Sequence, residues 1–239
     1  MTHYSYVGTE LELFSAATVW KSYFRRHIEP FLGAEVLEVG AGMGGTTKLL
    51  CTPRQDAWIC LEPDADLAQG LSQAVERGEL PGPCQVVVGT LSQVPPRSFF
   101  DTLLYIDVLE HIEDDRRELE QAAAHLKPGG YLVVLGPARP RLFSPFDRAI
   151  GHYRRYTRSS LRALTPIGLL MVRSIYLDSI GMLASIGNHL VLSQSMPGPG
   201  QIAFWDKVMV RCSRLVDPLL FYSLGKSVLS IWKRPPTPS

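Results

Sequence analysis

Four glycines crowd one short stretch of the chain, directly after an apolar run that reads as a buried strand. Glu38 lies near the end of that run and is followed by Gly40, Gly42, Gly44 and Gly45. Glycine lets a backbone turn approach a ligand at a distance that a Cβ atom would block. The spacing satisfies both the Gly-x-Gly-x-x-Gly fingerprint of dinucleotide sites and the looser Gly-x-Gly-x-Gly pattern of nucleoside–methionine sites. The glycines alone leave both ligand classes open.

Glu38 shifts the choice towards a cationic ligand. A dinucleotide would place its pyrophosphate at this turn, where a neighbouring carboxylate would repel it. S-adenosylmethionine carries no phosphate but has an ammonium group and a sulfonium group, and a carboxylate beside the glycines suits both. Glu38 could instead cap a backbone amide or pair with a surface arginine, and this structural alternative stays open.

A second carboxylate, Glu62, follows the apolar run 57–61, which predicts a second buried strand. It lies 22 positions after Gly40. A carboxylate at the end of the second strand is placed to accept hydrogen bonds from both ribose hydroxyls of a bound nucleoside. The structural alternative is a surface carboxylate. Asp64 is predicted to cap the helix that follows.

Two further predicted strands end near the same ligand. Residues 85–88 form the third strand, and Thr90 and Leu91 follow it, where an adenine ring would be held by backbone contacts and an apolar side chain. Residues 100–106 form the fourth strand, and Asp107 follows it. Ligands of open α/β sheets bind outside the carboxyl ends of the strands, so Asp107 is either a ligand-site group or a loop cap.

Aromatic side chains are concentrated before the glycine turn. An apolar stripe at helical spacing predicts an amphipathic helix over residues 10–31. One interpretation is a packing helix that covers the sheet. The other is that Tyr6, Phe14 or Trp20 closes over the cofactor, since an aromatic face attracts a sulfonium group.

An arginine-rich loop follows the fifth predicted strand. Residues 139–162 contain seven arginines and one acid, Asp147. A basic, aromatic segment can bind nucleic acid, but the formal net charge of +1 argues against a broad nucleic-acid footprint. Recognition of an anionic substrate group and a structural arginine network remain as equal alternatives.

The 239 residues are predicted to form a single domain. Residues 1–33 form an N-terminal helical cap and residues 34–177 the ligand-binding core. Residues 178–224 show weak helical periodicity and are predicted to be a helical insertion, either with its own small core or acting as a substrate lid. Residues 225–239 hold the last strand and a tail.

Composition excludes several classes of protein. An apolar content of 46% and a charged content of 20% are typical of a globular protein. No uncharged apolar run reaches the roughly 18 residues of a membrane-spanning helix, and no signal-peptide pattern follows Met1. The four cysteines lack metal-ligand spacing, which predicts reduced thiols, a cytoplasmic location and no metal site.

Together the motifs resemble those of class I S-adenosylmethionine-dependent methyltransferases of the small-molecule type. The resemblance rests on order and spacing across about residues 34–135. The segments that carry it are 36–44, 61–64, 100–112 and 126–130. A narrower resemblance links residues 151–156 to a loop found in a subset of small-molecule methyltransferases.

This resemblance implies a Rossmann-like, seven-stranded, mostly parallel sheet with helices on both faces and an antiparallel last strand inserted between strands five and six. It implies S-adenosylmethionine as cofactor, S-adenosylhomocysteine as product, and an oxygen, nitrogen or carbon of a small molecule as methyl acceptor. The acceptor is expected to be anionic or apolar, with no nucleic acid as partner. The chain is expected to be a monomer or a homodimer.

The expected cofactor-binding residues combine the motif positions with the N-terminal aromatic side chains. They are Tyr6, Phe14, Trp20, Glu38, Gly40, Gly42, Glu62, Pro63, Thr90, Leu91, Asp107 and Val108. Methyl transfer from a sulfonium is an in-line displacement that needs mainly alignment and exclusion of water. A base is required only when the acceptor must lose a proton. The catalytic candidates are His152, then His111, with Tyr153 and Tyr156 as orienting groups.

Three other functions stay open from the sequence. A nicotinamide-dependent oxidoreductase is favoured by the glycine spacing and Glu62, but Glu38 and the Lys-Pro-Gly-Gly turn at 127–130 count against it. An RNA methyltransferase would act through the loop 139–162. A non-catalytic interaction protein would keep the fold without the chemistry.

Overall fold

The computed structural model describes residue 14, residues 16–191 and residues 198–236. Its strands are β1 Glu35–Val39, β2 Ala57–Glu62, β3 Cys84–Val88, β4 Phe100–Ile106, β5 Leu126–Pro137, β6 Leu170–Leu177 and β7 Ser227–Lys233. They form one seven-stranded sheet with the order β3-β2-β1-β4-β5-β7-β6. The predicted insertion of the last strand between strands five and six is confirmed.

The sheet is parallel except for β7, which is antiparallel to both β5 and β6. Val39, the last residue of β1, pairs with Leu61 on one side and with Tyr105 on the other. The carboxyl ends of β1, β2 and β4 therefore meet at one edge of the sheet. The glycine turn follows β1, Glu62 ends β2 and Asp107 follows β4, so all three lie at this edge, as ligand sites of such sheets do.

Helices cover both faces of the sheet. They are α1 Thr18–Ile28, α2 Thr47–Leu50, α3 Ala65–Glu76, α4 Asp115–Ala124, α5 Pro145–Ala149, α6 Arg158–Ala163, α7 Ser179–Val191, α8 Pro199–Phe204 and α9 Val210–Leu219. A π-helical stretch, Trp205–Met209, joins α8 to α9. None of the helices in the described ranges is both long enough and apolar enough to cross a membrane.

Apolar side chains bury the sheet from both sides. Val36 belongs to a cluster with Trp20 and Phe24 of α1, whereas its neighbour Leu37 belongs to a second cluster with Leu119 of α4. Successive side chains of a strand point to opposite faces, so the two clusters lie on opposite sides of the sheet. This two-sided burial explains why the strands read as continuous apolar runs.

Some element boundaries differ from those predicted. In the described part of the predicted helix 10–31, α1 begins at Thr18 and ends at Ile28, and Pro30 lies in the 3₁₀ turn that follows. Strand β5 begins at Leu126, before the Lys-Pro-Gly-Gly turn. That turn forms an irregularity within the pairing of β4 with β5 instead of preceding the strand.

The helices described between β6 and β7, called the cap from here on, are joined to α1 through a buried aspartate. Asp206 is 2% exposed. It accepts hydrogen bonds from the backbone N–H groups of Val19 at 3.2 Å and Trp20 at 2.8 Å. The first N–H groups of a helix have no partner within the helix, so a carboxylate placed there satisfies them. A side chain distant in sequence thus fixes where α1 begins.

Asp217 joins α1 to α7. It accepts hydrogen bonds from the hydroxyl of Tyr23 at 2.8 Å and from the backbone N–H groups of Asp178 at 2.7 Å and Ser179 at 3.0 Å. All of these donors and the acceptor are buried. A carboxylate with this many donors remains stable inside the protein because its lone pairs are satisfied.

Replacing Asp217 by alanine should lower the free energy of unfolding by about 2–4 kcal/mol, because it leaves several buried donors without an acceptor. Urea unfolding followed by circular dichroism measures the change. The matched control is Asp56→Ala, which removes an exposed carboxylate and should change stability by less than about 0.5 kcal/mol. Equal effects in the two variants would contradict this role of Asp217.

Candidate active site

The glycine turn adopts a backbone that side chains with a Cβ atom rarely allow. Gly40, Gly42 and Gly44 have φ angles of 68°, 54° and 74°. A Cβ atom on Gly40 would lie 2.6 Å from Cγ2 of Val108, in the loop after β4. The turn therefore needs glycine both for its conformation and for the close approach of a neighbouring loop.

Glu62 holds this turn against the end of β2. Its carboxylate accepts hydrogen bonds from the backbone N–H groups of Gly42 at 2.7 Å and Asp64 at 3.0 Å. Burial raises the pKa of Glu62, although both amide hydrogen bonds act to lower it. Asp64 caps α3 as predicted, accepting from the N–H groups of Asp66 and Leu67.

The same carboxylate retains unused hydrogen-bond acceptor capacity. An ionised carboxylate offers about four lone-pair sites, and the amides of Gly42 and Asp64 use one on each oxygen. Ribose hydroxyls could therefore still donate to Glu62. The conformation of the glycines and this spare acceptor capacity fit the nucleoside of S-adenosylmethionine, while the contact itself stays a prediction.

Glu38 lies beneath the turn and points into the protein. It is 2% exposed and accepts hydrogen bonds from the hydroxyl of Thr47 at 2.6 Å and the indole N–H of Trp58 at 2.8 Å. Burial raises the pKa of Glu38 to about 7. These partners are neither the backbone amide nor the surface arginine of the structural alternative. Contact of Glu38 with a cofactor stays a prediction.

The residues expected around adenine differ in their exposure. Thr90 is exposed and begins a 3₁₀ turn, Leu91–Gln93, in which its N–H group donates to the side chain of Gln93. Leu91 is 1% exposed and packs in an apolar cluster. The N–H group of Gly89 donates to the carbonyl of Glu62 at 2.9 Å, which ties this loop to the ribose-binding candidate. Pro63 is half-buried beside it.

The N-terminal aromatic residues show the contacts of a packing helix. Phe14 and Trp20 each lie 5.9 Å from the ring of Trp205, measured between ring centroids. Tyr6 lies outside the described residues. At the glycine turn the side chain observed from α1 is Lys21, since a Cβ atom on Gly45 would lie 2.6 Å from its Nζ. Closure of an aromatic ring over the cofactor stays a prediction.

Asp107 follows Ile106, the last residue of β4. Its φ angle of 54° lies in the left-handed region, which is uncommon for a residue other than glycine. Its N–H group donates to the carbonyl of Leu135 at 2.8 Å, which fixes the loop to β5. Val108 follows and packs over Gly40. The loop thus lies directly beside the glycine turn.

The two predicted catalytic histidines lie together. The rings of His111 and His152 are 4.6 Å apart, edge to face. Nδ1 of His152 lies 3.1 Å from Asp147, and its Nε2 lies 3.8 Å from Oε1 of Glu110. Burial and the neighbouring His152 lower the pKa of His111 to about 4, so its imidazole is neutral at neutral pH.

Tyr153 is positioned through its backbone. Its N–H group donates to the carbonyl of Glu110 at 2.8 Å, and its side chain is 54% exposed. The guanidinium of Arg154 lies 5.9 Å from the centre of its ring. The structure brings the backbone of Tyr153 to the histidine pair, and its orienting role stays a prediction.

Several arginines of the loop 139–162 serve internal contacts. Arg155 binds both carboxylate oxygens of Asp147, at 2.7 Å and 2.9 Å. Arg154 lies 2.8 Å from Asp115, and Arg139 donates to the carbonyl of Ser223 at 3.1 Å. These contacts favour the structural arginine network over the recognition of an anionic group by these three residues.

Sequence reasoning missed Glu110, Asp147, Arg155 and Lys226 as members of this site. Although burial favours protonation, hydrogen bonds from His152 and Arg155 hold the pKa of Asp147 well below its usual range. Burial and the nearby Asp107 raise the pKa of Glu110 well above its usual range. Asp147 carried one sequence signal, since it is the single acid among seven arginines.

The sheet order, the antiparallel β7 and the glycine turn at the edge of β1 define the class I methyltransferase architecture. A sequence profile described as a methyltransferase domain matches residues 17–165, more than half of the chain. The chain belongs to this methyltransferase family.

Curated relatives and solved structures agree with this assignment. An ubiquinone biosynthesis O-methyltransferase of Bradyrhizobium sp. (strain ORS 278) is 33% identical over 105 residues, which are 43% of this chain and 39% of that protein. A demethylmenaquinone methyltransferase of Tropheryma whipplei (strain Twist) is 32% identical over 142 residues, 55% of this chain and 53% of that protein. The chain thus matches about two fifths to half of the length of these relatives.

A solved structure supports the fold. The SAM-dependent methyltransferase from Archaeoglobus fulgidus superposes with a TM-score of 0.60 at 17% identity, and the match covers 94% of this chain and 97% of that chain. At this level of identity the match shows a shared fold. The seven-stranded architecture implied by the sequence resemblance is therefore confirmed.

Replacing Glu38 by glutamine should flatten the pH dependence of stability. Because burial raises the pKa of Glu38 in the folded chain from 4.5 to about 7, the folded state binds more protons than the unfolded state between these values. The free energy of unfolding therefore falls as the pH rises through this window. Glu38→Gln keeps an acceptor for Thr47 and Trp58. It should remove the pH-dependent fall in the free energy of unfolding, which is on the order of 3 kcal/mol in the wild type.

Urea unfolding at a series of pH values from about 4 to about 8 measures this difference between wild type and variant. Thr47→Val, which removes one donor to Glu38 but leaves the carboxyl in place, is the control and should keep the pH-dependent fall. A slope in Glu38→Gln equal to that of the wild type would contradict the assignment of the titration to Glu38.

Proposed function

We propose that this chain is an S-adenosylmethionine-dependent methyltransferase that acts on a small molecule. The observation that carries the proposal is the glycine turn fixed by Glu62 at the carboxyl edge of β1 and β2, in a chain of the methyltransferase family. His111 follows β4 at the same edge, and its ring lies 4.6 Å from that of His152. The proposed cofactor residues and the candidate catalytic residues therefore lie at the same edge of the sheet.

Different residues would bind the different parts of the cofactor. Glu38, Gly40 and Gly42 would line the methionine end, Glu62 with Pro63 the ribose, and Thr90 and Leu91 the adenine, while Asp107 and Val108 would close the crevice beside the sulfonium. When bound, S-adenosylmethionine supplies a methyl group on a positively charged sulfur, which makes the methyl carbon electrophilic.

The acceptor would approach from the side of His111, His152 and Tyr153. Displacement at the methyl carbon needs an aligned nucleophile and little water, so positioning and exclusion of solvent are the main duties of these residues. Nδ1 of His152 donates a hydrogen bond to Asp147. The other ring nitrogen, Nε2, therefore faces Glu110, in the 3₁₀ turn after β4. His152 remains the first candidate for a base where the acceptor must lose a proton.

The helical cap is proposed as the substrate lid. Nζ of Lys226 lies 3.9 Å from the centre of the Trp205 ring. Burial raises the pKa of Asp107 to about 6, and the charges of His152 and Lys226 act against this rise. Lys226 therefore links Trp205 of the cap to the surroundings of Asp107. An apolar acceptor is the class proposed for this lid, and the relatives' names, which mention ubiquinone biosynthesis and demethylmenaquinone, support it.

The chain is further proposed to be a monomer or homodimer of the cytoplasm. The four cysteines are free thiols, as predicted, and this supports a reducing compartment. The oxidoreductase alternative receives no support from the family match, and the internal contacts of the loop arginines weaken the RNA alternative.

Calorimetric titration with S-adenosylhomocysteine tests the proposed function. The wild-type chain should bind one molecule. Glu62→Ala removes the acceptor for the ribose hydroxyls and should weaken binding by about 10-fold to 150-fold, the range for loss of a charge-assisted hydrogen bond. Glu76→Ala, at the exposed end of α3, is the matched control and should bind like the wild type.

Two further titrations separate the alternatives. Binding of NADH without binding of S-adenosylhomocysteine would identify an oxidoreductase. RNA association that weakens steeply with salt would identify an RNA methyltransferase. Loss of affinity in Glu76→Ala equal to that in Glu62→Ala would show that the ribose assignment of Glu62 is wrong.

A further inference from the structure

We propose that Glu110, His111 and His152 bind a divalent transition-metal ion. Each offers one ligand atom, and the three atoms lie within 4.8 Å of one another. Two imidazoles and one carboxylate form a donor set that such ions accept, with coordination positions left open. Ligand atoms that share one ion at about 2.1 Å lie roughly 3–4 Å apart, so a small contraction of the side chains would close the site. This site differs from the sequence-based expectation of no metal.

The carboxylate of Glu110 is the first reason for this assignment. Glu110 is fully buried, and neither Oε1 nor Oε2 has a hydrogen-bond partner among the described residues. A buried carboxylate without a partner is strongly unfavourable unless it is neutralised or coordinates a cation. Its backbone carbonyl accepts from Tyr153, so the loop that carries His152 is fastened to Glu110.

The orientation of His152 is the second reason. Asp147, itself held by Arg155, lies 3.1 Å from Nδ1 of His152. The ionised Asp147 can only accept, so Nδ1 carries the proton and the neutral ring presents its Nε2 lone pair to Oε1 of Glu110, 3.8 Å away. A carboxylate that fixes the other nitrogen of a histidine is the arrangement seen behind metal-binding histidines.

His111 completes the donor set. Its ring stands edge to face with that of His152, at 82°. It belongs to the same 3₁₀ turn as Glu110, Leu109–His111, directly after the loop of Asp107. The donors therefore come from two backbone segments held together by main-chain hydrogen bonds, which keeps them close to the binding geometry without the ion.

The position of the site suggests its use in the methyl transfer, and this consequence rests on the proposed function. An open coordination position beside Asp107 would face the acceptor. Divalent ions bind and polarise oxygen ligands, so a hydroxyl-bearing acceptor is the class that the site would hold. In that case Nε2 of His152 binds the metal ion and is not the base.

Metal binding to the chain alone tests the proposal. The EDTA-treated and dialysed wild-type chain is titrated with CoCl₂ by calorimetry and visible spectroscopy, without cofactor, and ZnCl₂ is used in competition. One Co²⁺ should bind per chain, with ligand-field bands that Zn²⁺ abolishes. Glu110→Gln and His152→Asn should weaken binding at least about 100-fold, and Asp147→Asn about 10-fold to 100-fold.

His125→Asn is the matched control, since His125 binds the carbonyl of Ser98 through Nδ1 and lies outside the cluster. It should bind Co²⁺ like the wild type. Thermal unfolding with and without metal checks folding: Co²⁺ should raise the midpoint of wild type and His125→Asn, but not of Glu110→Gln. No saturable binding by the wild type, or unchanged affinity in Glu110→Gln and His152→Asn, overturns the proposal.

Titration of the same samples with S-adenosylhomocysteine distinguishes the two proposals. Co²⁺ binding in a chain that does not bind S-adenosylhomocysteine would leave the metal site standing and remove the proposed function. Binding of S-adenosylhomocysteine in a chain that does not bind Co²⁺ or Zn²⁺ would overturn the metal site and leave the methyltransferase proposal in place.

Discussion

The hydrogen bond from the Gly42 amide to Glu62 determines how the two loops of the candidate cofactor site meet. It is 2.7 Å long and buried, and it joins the turn after β1 to the end of β2. The glycines give the turn a conformation that most residues avoid, so an external contact is needed to select it from many alternatives. The carboxylate that selects this conformation is the same group that is proposed to bind the ribose.

Buried carboxylates perform this positioning task throughout the molecule. Asp206 accepts a hydrogen bond from an N–H group in the first turn of α1, and Asp217 accepts one from the first residue of α7. Asp147 accepts hydrogen bonds from the backbone and side chain of Ser144 at the start of α5. Each satisfies N–H donors that a helix leaves without partners. In each case the acid also reaches a second element or side chain, such as Arg155 for Asp147. These contacts hold the loops and the cap in fixed positions around the sheet. Binding sites are positioned more precisely when a rigid scaffold of this kind supports them.

The fold was predictable from sequence because it depends on local patterns. Apolar runs bounded by glycine or proline mark the strands, and the order of strands with the resemblance supplies the topology. The site was predictable only in part. Glycines and strand-end carboxylates are recognised by type and spacing, but the partner of Glu38 is Trp58 in a neighbouring strand, and no spacing rule connects the two positions.

Long-range contacts explain the remaining differences. The Asp206 cap of α1 spans 186 positions, so the start of that helix is fixed by a residue that local sequence does not contain. Phe14 and Trp20 looked suited to a sulfonium, yet both meet Trp205 of the cap. Glu110 and His152 are 42 positions apart in the sequence, and their proximity depends on the loop that Arg155 and Asp147 fold.

The charges at the carboxyl edge extend the argument that began with Glu38. Glu62 ends β2, and Asp107 and Glu110 follow β4 at this edge. Two nearby cations are already paired: Arg155 with Asp147, and Lys226 with Asp178 at 4.0 Å. A pyrophosphate would therefore add negative charge next to these acidic groups. A ligand with an ammonium and a sulfonium would reduce that repulsion, and a divalent ion at Glu110 would do so at the other end of the crevice. The acidic groups at this edge thus favour the proposed cationic cofactor over a dinucleotide.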